Sequence, residues 1–186
     1  MDYILIDGFL PQEELNKTMK EIDFLHGKMH TIENDEETAK AVSATGKRVW
    51  LEEVYKDQYY SDILRYKNDF IKGDTFISYI IKHSPCMRQF LDVNWSSSLL
   101  SYYENTNHYK THYDKSLFTM LMWFYKEPKE FTGGELILPE VGETFDCINN
   151  RMIMFPSWYY HEVKPVKVNK PGMGRYTITH FFNIRP

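Results

Sequence analysis

The stretch Phe118-Thr119-Met120-Leu121-Met122-Trp123-Phe124-Tyr125 decides the fold. All but Thr119 are apolar or aromatic, and Lys126-Glu127-Pro128 follows. A short aromatic run that stops at polar and turn-forming residues reads as a β-strand. Working outward, similar runs lie at 99–103, 135–138, 152–155, 161–166 and 175–184. Turn signals separate them at Thr132-Gly133-Gly134, Glu140-Val141-Gly142, Asn149-Asn150 and Lys170-Pro171-Gly172. From Trp95 onward the chain therefore reads as β. Helices first and strands after, without alternation, argue for an α+β fold that is mainly β. Six or more antiparallel strands fit a double-stranded β-helix, or jelly roll, with N-terminal supporting helices on one outer face. One domain over 1–186 is expected, with helical support in 1–94 and the jelly-roll core in 95–186.

The N-terminal half supplies the expected helices. A strand at 3–6 turns at Asp7-Gly8, and Pro11 opens a helix that Gly27 ends. Leu15, Met19, Ile22 and Leu25 recur at steps of three and four, giving that helix one apolar face. The polar segment 28–47 reads as a surface loop or a lid. A strand is expected over 48–55 with Trp50 inward. Helical spacing follows at 59–71 and 75–93, with Pro85 breaking the second helix. Phe76, Tyr79, Ile80, Met87, Phe90 and Leu91 are its candidate core residues.

Composition narrows the class. A net charge of −4 gives no bulk attraction for nucleic acid or an anionic membrane. No run approaches the roughly 20 apolar residues that span a bilayer, and the acidic start lacks the pattern of a secretory signal. A cytoplasmic location is expected, with Cys86 and Cys147 as free thiols.

The chemistry is carried by His112-Tyr113-Asp114. Residues two apart on a strand point to the same side, so His112 and Asp114 can share one point in space. His161 and Arg175 follow downstream. Two histidines and a carboxylate make the facial triad that holds non-haem Fe(II) and leaves positions open. Strand parity from Arg175 puts Thr177 and Thr179 on its face and His180 on the other, so His180 is not expected to be a ligand.

The chain from about residue 95 onward resembles the 2-oxoglutarate/Fe(II)-dependent dioxygenases, in their prolyl 4-hydroxylase-like branch. The resemblance rests on Tyr103, Tyr109, His112 and Asp114 at the family's spacing. It continues through Thr119-Met120-Leu121, Gly133-Gly134-Glu135 before an apolar run ending in Pro139, and Phe155-Pro156-Ser157. It ends with His161 and with Arg175-Tyr176-Thr177. It implies Fe(II) held by His112, Asp114 and His161, with 2-oxoglutarate and O2 as cosubstrates and ascorbate as a candidate stimulant. Arg175 would pair with the far carboxylate of 2-oxoglutarate, joined by Thr177, Tyr103, Tyr109 and Trp123. Tyr102 competes with Tyr103 if the register shifts by one.

Trp123 stands where the family places a tyrosine. The gap before Arg175 is long and contains Lys164, Lys167 and Lys170 as rival cations. The intact Asp114 favours hydroxylation over halogenation. The implied substrate is a prolyl residue of a protein or peptide, with a free amino acid or other small molecule as the alternative. Specificity is expected from 28–60 and the loop at 126–131. Two rival readings are a cupin-like oxygenase without 2-oxoglutarate and a non-catalytic jelly-roll binding module.

Overall fold

The computed structural model describes residues 2–32 and 44–185. Most of the expected loop or lid, residues 33–43, lies outside the described residues.

The fold is a double-stranded β-helix. Among the described residues, its major sheet has seven strands, β1 (Ile4–Asp7), β10 (Arg151–Pro156), β6 (Phe118–Tyr125), β13 (Arg175–Asn183), β4 (Trp95–Tyr103), β3 (Lys47–Trp50) and β2 (His30–Thr31), in that spatial order. A minor sheet faces it, ordered β5 (Tyr109–His112), β11 (His161–Val163), β8 (Leu136–Leu138) and β9 (Glu143–Phe145). β7 (Phe131–Gly133) and β12 (Val166–Val168) form a separate ribbon. All the paired strands run antiparallel.

β6 is buried along its whole length because it has a core on each side. Phe118, Met120, Met122 and Phe124 pack toward the helices, while Leu121, Trp123 and Tyr125 pack between the sheets. The same alternation divides Met152 and Met154 from Ile153 and Phe155 on β10. A strand covered on both faces has no polar face to show, hence the unbroken apolar run.

Among the described residues, four helices cover the outer face of the major sheet: α1 (Gln12–His26), α2 (Leu51–Val54), α3 (Asp62–Lys72) and α4 (Asp74–His83). α1 lies where Pro11 and Gly27 place it and buries Ile22 and Leu25. Ser61 caps α3 by accepting the Leu64 N–H at 3.1 Å, and it donates to Glu21 of α1 at 2.6 Å. Glu21 also accepts the Ile63 N–H, so one buried carboxylate ties two helices together. Among the described residues, no helix is long and apolar enough to cross a membrane.

Three expectations about the elements need correction. The strand at 48–55 ends at Trp50, and Leu51–Val54 turns into a helix whose Glu52 carboxylate accepts the Ser98 N–H. Trp50 is only half-buried and lies on Phe181. The run at 161–166 is two strands in different sheets, because Pro165 has no N–H to continue the ladder. Tyr79 and Leu91 are exposed. After Pro85 the chain forms a 3-10 turn (Met87–Asp92) that puts Met87 and Phe90 on one buried face and rotates Leu91 outward.

Candidate active site

The site lies between the two sheets, at the end where β5 and β11 meet. His112 and His161 are cross-strand partners in that pair. Their rings sit 4.2 Å apart, centroid to centroid. Asp114, two residues past His112, completes the group. Its carboxylate lies 3.7 Å from His112 Nε2 and 3.5 Å from His161 Nε2. One ligand atom from each residue falls within 4.8 Å of the others, the geometry of a candidate metal site.

Backbone carbonyls orient both rings. His112 Nδ1 donates to the Lys110 carbonyl at 2.8 Å, and His161 Nδ1 donates to the Tyr159 carbonyl at 3.0 Å. A carbonyl only accepts, so each Nδ1 carries the proton and each Nε2 keeps a lone pair for a metal. Burial, and then the nearby His161, push His112 down to about 3. It therefore stays a neutral ligand across the physiological range. Asp114 accepts from Thr119 Oγ1 at 2.6 Å.

Deeper between the sheets, Arg175 of β13 is 1% exposed. None of its three guanidinium nitrogens has a hydrogen-bond partner among the described residues, and neither does Thr177 Oγ1 on the same face. Tyr103, its cross-strand neighbour on β4, lies under the guanidinium with 4.6 Å from Cζ to the ring centre. An unneutralised buried cation is costly unless an anion joins it, and a planar fork suits a carboxylate. The donor set therefore fits the far carboxylate of 2-oxoglutarate, with the His-Asp-His cluster fitting Fe(II). Burial raises the Tyr103 phenol against the pull of Arg175, and pushes Tyr109 up to about 12. Both remain neutral hydroxyls at neutral pH.

The two glycines before Glu135 shape this pocket. Gly134 has φ +76, and a Cβ there would come within 2.9 Å of Arg175 Cδ and 3.0 Å of its Nε. Gly133, at φ +78, passes even closer to the Pro165 backbone. Both the left-handed backbone and the room for Arg175 require glycine.

A cavity of about 70 Å³ joins these parts. His112, Asp114, His161, Arg175, Thr177, Tyr103, Tyr109 and Trp123 all line it. Tyr102 points to the opposite core and accepts the Gly174 N–H, so the register favours Tyr103. Lys164, Lys167 and Lys170 do not line the cavity. His180 faces the helices and bonds Ser98 at 2.8 Å, as its strand parity predicts. The cavity opens into an outer groove of about 320 Å³, walled by Trp50, Trp95, Tyr109, Tyr113 and Phe181. Residues 126–131 line neither space, whereas Ile32, Arg48 and Trp50 of the 28–60 region line one or both. Sequence reasoning missed Arg48, which is buried and lines both. Its signal was parity: Arg48 shares a strand face with Trp50.

Residues 98–183 match the model of the 2OG-Fe(II) oxygenase superfamily. Among solved structures, a prolyl-4-hydroxylase from Pseudomonas putida aligns with TM-score 0.70 and 16% identity over 99% of this chain and 93% of its own. A prolyl hydroxylase from Trichoplax adhaerens, in complex with a hypoxia inducible factor oxygen degradation domain peptide fragment, aligns with TM-score 0.68 and 18% identity over 98% and 83%. A viral collagen prolyl hydroxylase from Paramecium Bursaria Chlorella virus-1, as a 2OG complex, aligns with TM-score 0.60 and 14% identity over 99% and 97%. No curated protein matches. Residues 98–183 thus carry a domain of the 2OG-Fe(II) oxygenase superfamily on the fold that the prolyl 4-hydroxylases share, and the His112, Asp114 and His161 cluster fits the Fe(II) that this superfamily uses with 2-oxoglutarate and O2.

Proposed function

We propose that the chain hydroxylates prolyl residues of a peptide or protein, with His112, Asp114 and His161 as the iron ligands. The observation that carries the cosubstrate half is the buried, unpartnered guanidinium of Arg175. Arg175 would hold the far carboxylate of 2-oxoglutarate, Thr177 would add a hydroxyl donor, and Tyr103 would steer the guanidinium from below. Trp123 and Tyr109 would wall the pocket and keep water out. Bound Fe(II) would supply the redox chemistry that couples 2-oxoglutarate decarboxylation to hydroxyl transfer.

The outer groove supports the substrate class. An aromatic trough suits a proline-rich segment, whose extended helix loses little entropy on docking. The peptide bound by the Trichoplax relative is consistent with that reading. A second reading, a small anionic substrate such as a free amino acid, is favoured by Arg48 at the join of cavity and groove. One experiment separates them. The protein is incubated with Fe(II), 2-oxoglutarate and either proline-containing peptides or free amino acids. Succinate and a one-oxygen mass gain are then measured. The prolyl reading expects both with peptides. Gain only on free amino acids supports the second reading, and no 2-oxoglutarate-dependent product with either overturns both.

A further inference from the structure

We propose that Thr119 is a positioning residue that limits Asp114 to one metal-binding oxygen. The inference rests on reading His112, Asp114 and His161 as the ligand set.

Thr119 and Ser157 are fully buried. Thr119 Oγ1 donates to Asp114 Oδ2 at 2.6 Å, lies 2.8 Å from Ser157 Oγ, and Ser157 Oγ lies 2.7 Å from Ser116 Oγ. The direction of the chain follows from proton counting. A hydroxyl has one proton, and an ionised carboxylate only accepts. Thr119 spends its proton on Asp114, so Ser157 must donate to Thr119. Ser116 must then donate to Ser157. Each donor in such a chain is strengthened by the one behind it. The backbone fixes the same contacts: Asp114 N–H donates to the Ser157 carbonyl at 2.9 Å, and Ser157 N–H donates to the Leu117 carbonyl at 3.0 Å.

A carboxylate with two free oxygens can take a metal through both, which fills a coordination position. A facial triad works because positions stay open for other ligands. A short hydroxyl bond to Oδ2 lowers its donor strength and fixes the carboxylate plane. Oδ1 is left as the better ligand atom. Thr119 therefore acts through Asp114, as partners outside the ligand set commonly do.

The test uses the full chain without oxygen. Thr119→Val keeps the shape and removes the donor, and Thr119→Ser restores it. Fe(II) affinity is measured by titration. Coordination number is read from the visible absorption of the Co(II)-loaded protein before and after 2-oxoglutarate. Thr119→Val is expected to weaken Fe(II) binding by about 10-fold to 100-fold, the usual cost of losing such a partner, and to change the Co(II) spectrum. Thr119→Ser is expected to recover both. A Thr119→Val protein with unchanged affinity and spectrum overturns the proposal. Should valine prevent folding, Thr119→Ala carries the same comparison with the same two outcomes. If the unsubstituted chain takes up neither metal, the ligand assignment itself falls, a result distinct from failure of the Thr119 role.

Discussion

A guanidinium held away from water with no hydrogen-bond partner among the described residues is expensive, by several kcal/mol. Arg175 bears that cost at the bottom of a cavity, where a carboxylate would relieve it. Thr177 shares the face because it is two residues along the same strand. Replacing Arg175 with methionine should weaken 2-oxoglutarate binding by about 3 kcal/mol, roughly 100-fold. Calorimetric titration of the Fe(II)-loaded protein checks this, and equal affinity would remove Arg175 from the site. His161→Ala should abolish succinate release from 2-oxoglutarate, since it deletes one of three candidate ligands. Persistent release would reassign the metal site. Much at this scale was legible in sequence. The His-x-Asp spacing marked the pair, although β5 ends at His112 and Asp114 lies just past it, and parity separated Arg175 from His180. The Thr119–Asp114 contact was not legible, because no sequence spacing shows which hydroxyl reaches a carboxylate.

At the scale of elements, two devices set the site and its support. The left-handed turn at Gly133-Gly134 carries the chain past Pro165 and behind Arg175. Gly134→Ala would force the Arg175 stem aside, because the new Cβ would sit 2.9 Å from its Cδ. A misplacement of that order should cost about 10²-fold in turnover, with the fold retained by circular dichroism. Wild-type turnover would show that Arg175 adapts. On the other side of the sheet, Ser61 caps α3 and donates to the buried Glu21. Ser61→Ala should cost about 2 kcal/mol in urea unfolding, from the lost cap and the carboxylate left short of a donor. A change near zero would mean that water replaces the hydroxyl. The sequence showed α1 by its apolar spacing. It did not show where the strand after Lys47 becomes α2, since Trp50-Leu51-Glu52 suits either state.

The whole molecule stacks helices on a major sheet on a minor sheet, and the two cores carry different burdens. The core between helices and sheet is mainly apolar but also buries Glu21 with Ser61, Ser98 with His180, and Lys67. Lys67 is 1% exposed, donates to Ser96 at 2.7 Å, and is pushed down to about 8 by burial, with Glu52 opposing and Lys72 adding. The unfolded chain then holds this proton more tightly than the folded one. Stability must rise with pH as Lys67 deprotonates through about 8 toward the ordinary 10.5. The penalty, about 3 kcal/mol, is complete below about pH 8. Lys67→Met should therefore stabilise the fold near neutrality. Its advantage over the unsubstituted chain should shrink by about 2 kcal/mol between about pH 7 and about pH 9.5. Unfolding curves at the two pH values check this, and a constant difference would mean that water reaches the ammonium.

The sequence by itself determined the class of the fold and offered the His-Asp-His set and the arginine as candidates. Strand alternation and turn residues act over a few residues, whereas His161 and Arg175, distant along the chain, were singled out by the resemblance to the dioxygenase family. The tertiary structure decided what depends on groups distant in sequence. It set Tyr103 rather than Tyr102 against Arg175 through the β4–β13 register. It brought Arg48 to the join of cavity and groove, and chained Ser116, Ser157 and Thr119 to Asp114. It also buried Phe118–Tyr125 on both faces, by laying helices over one side and a second sheet over the other. Contacts across a sheet depend on which strands become neighbours, and only packing of the whole chain fixes that choice.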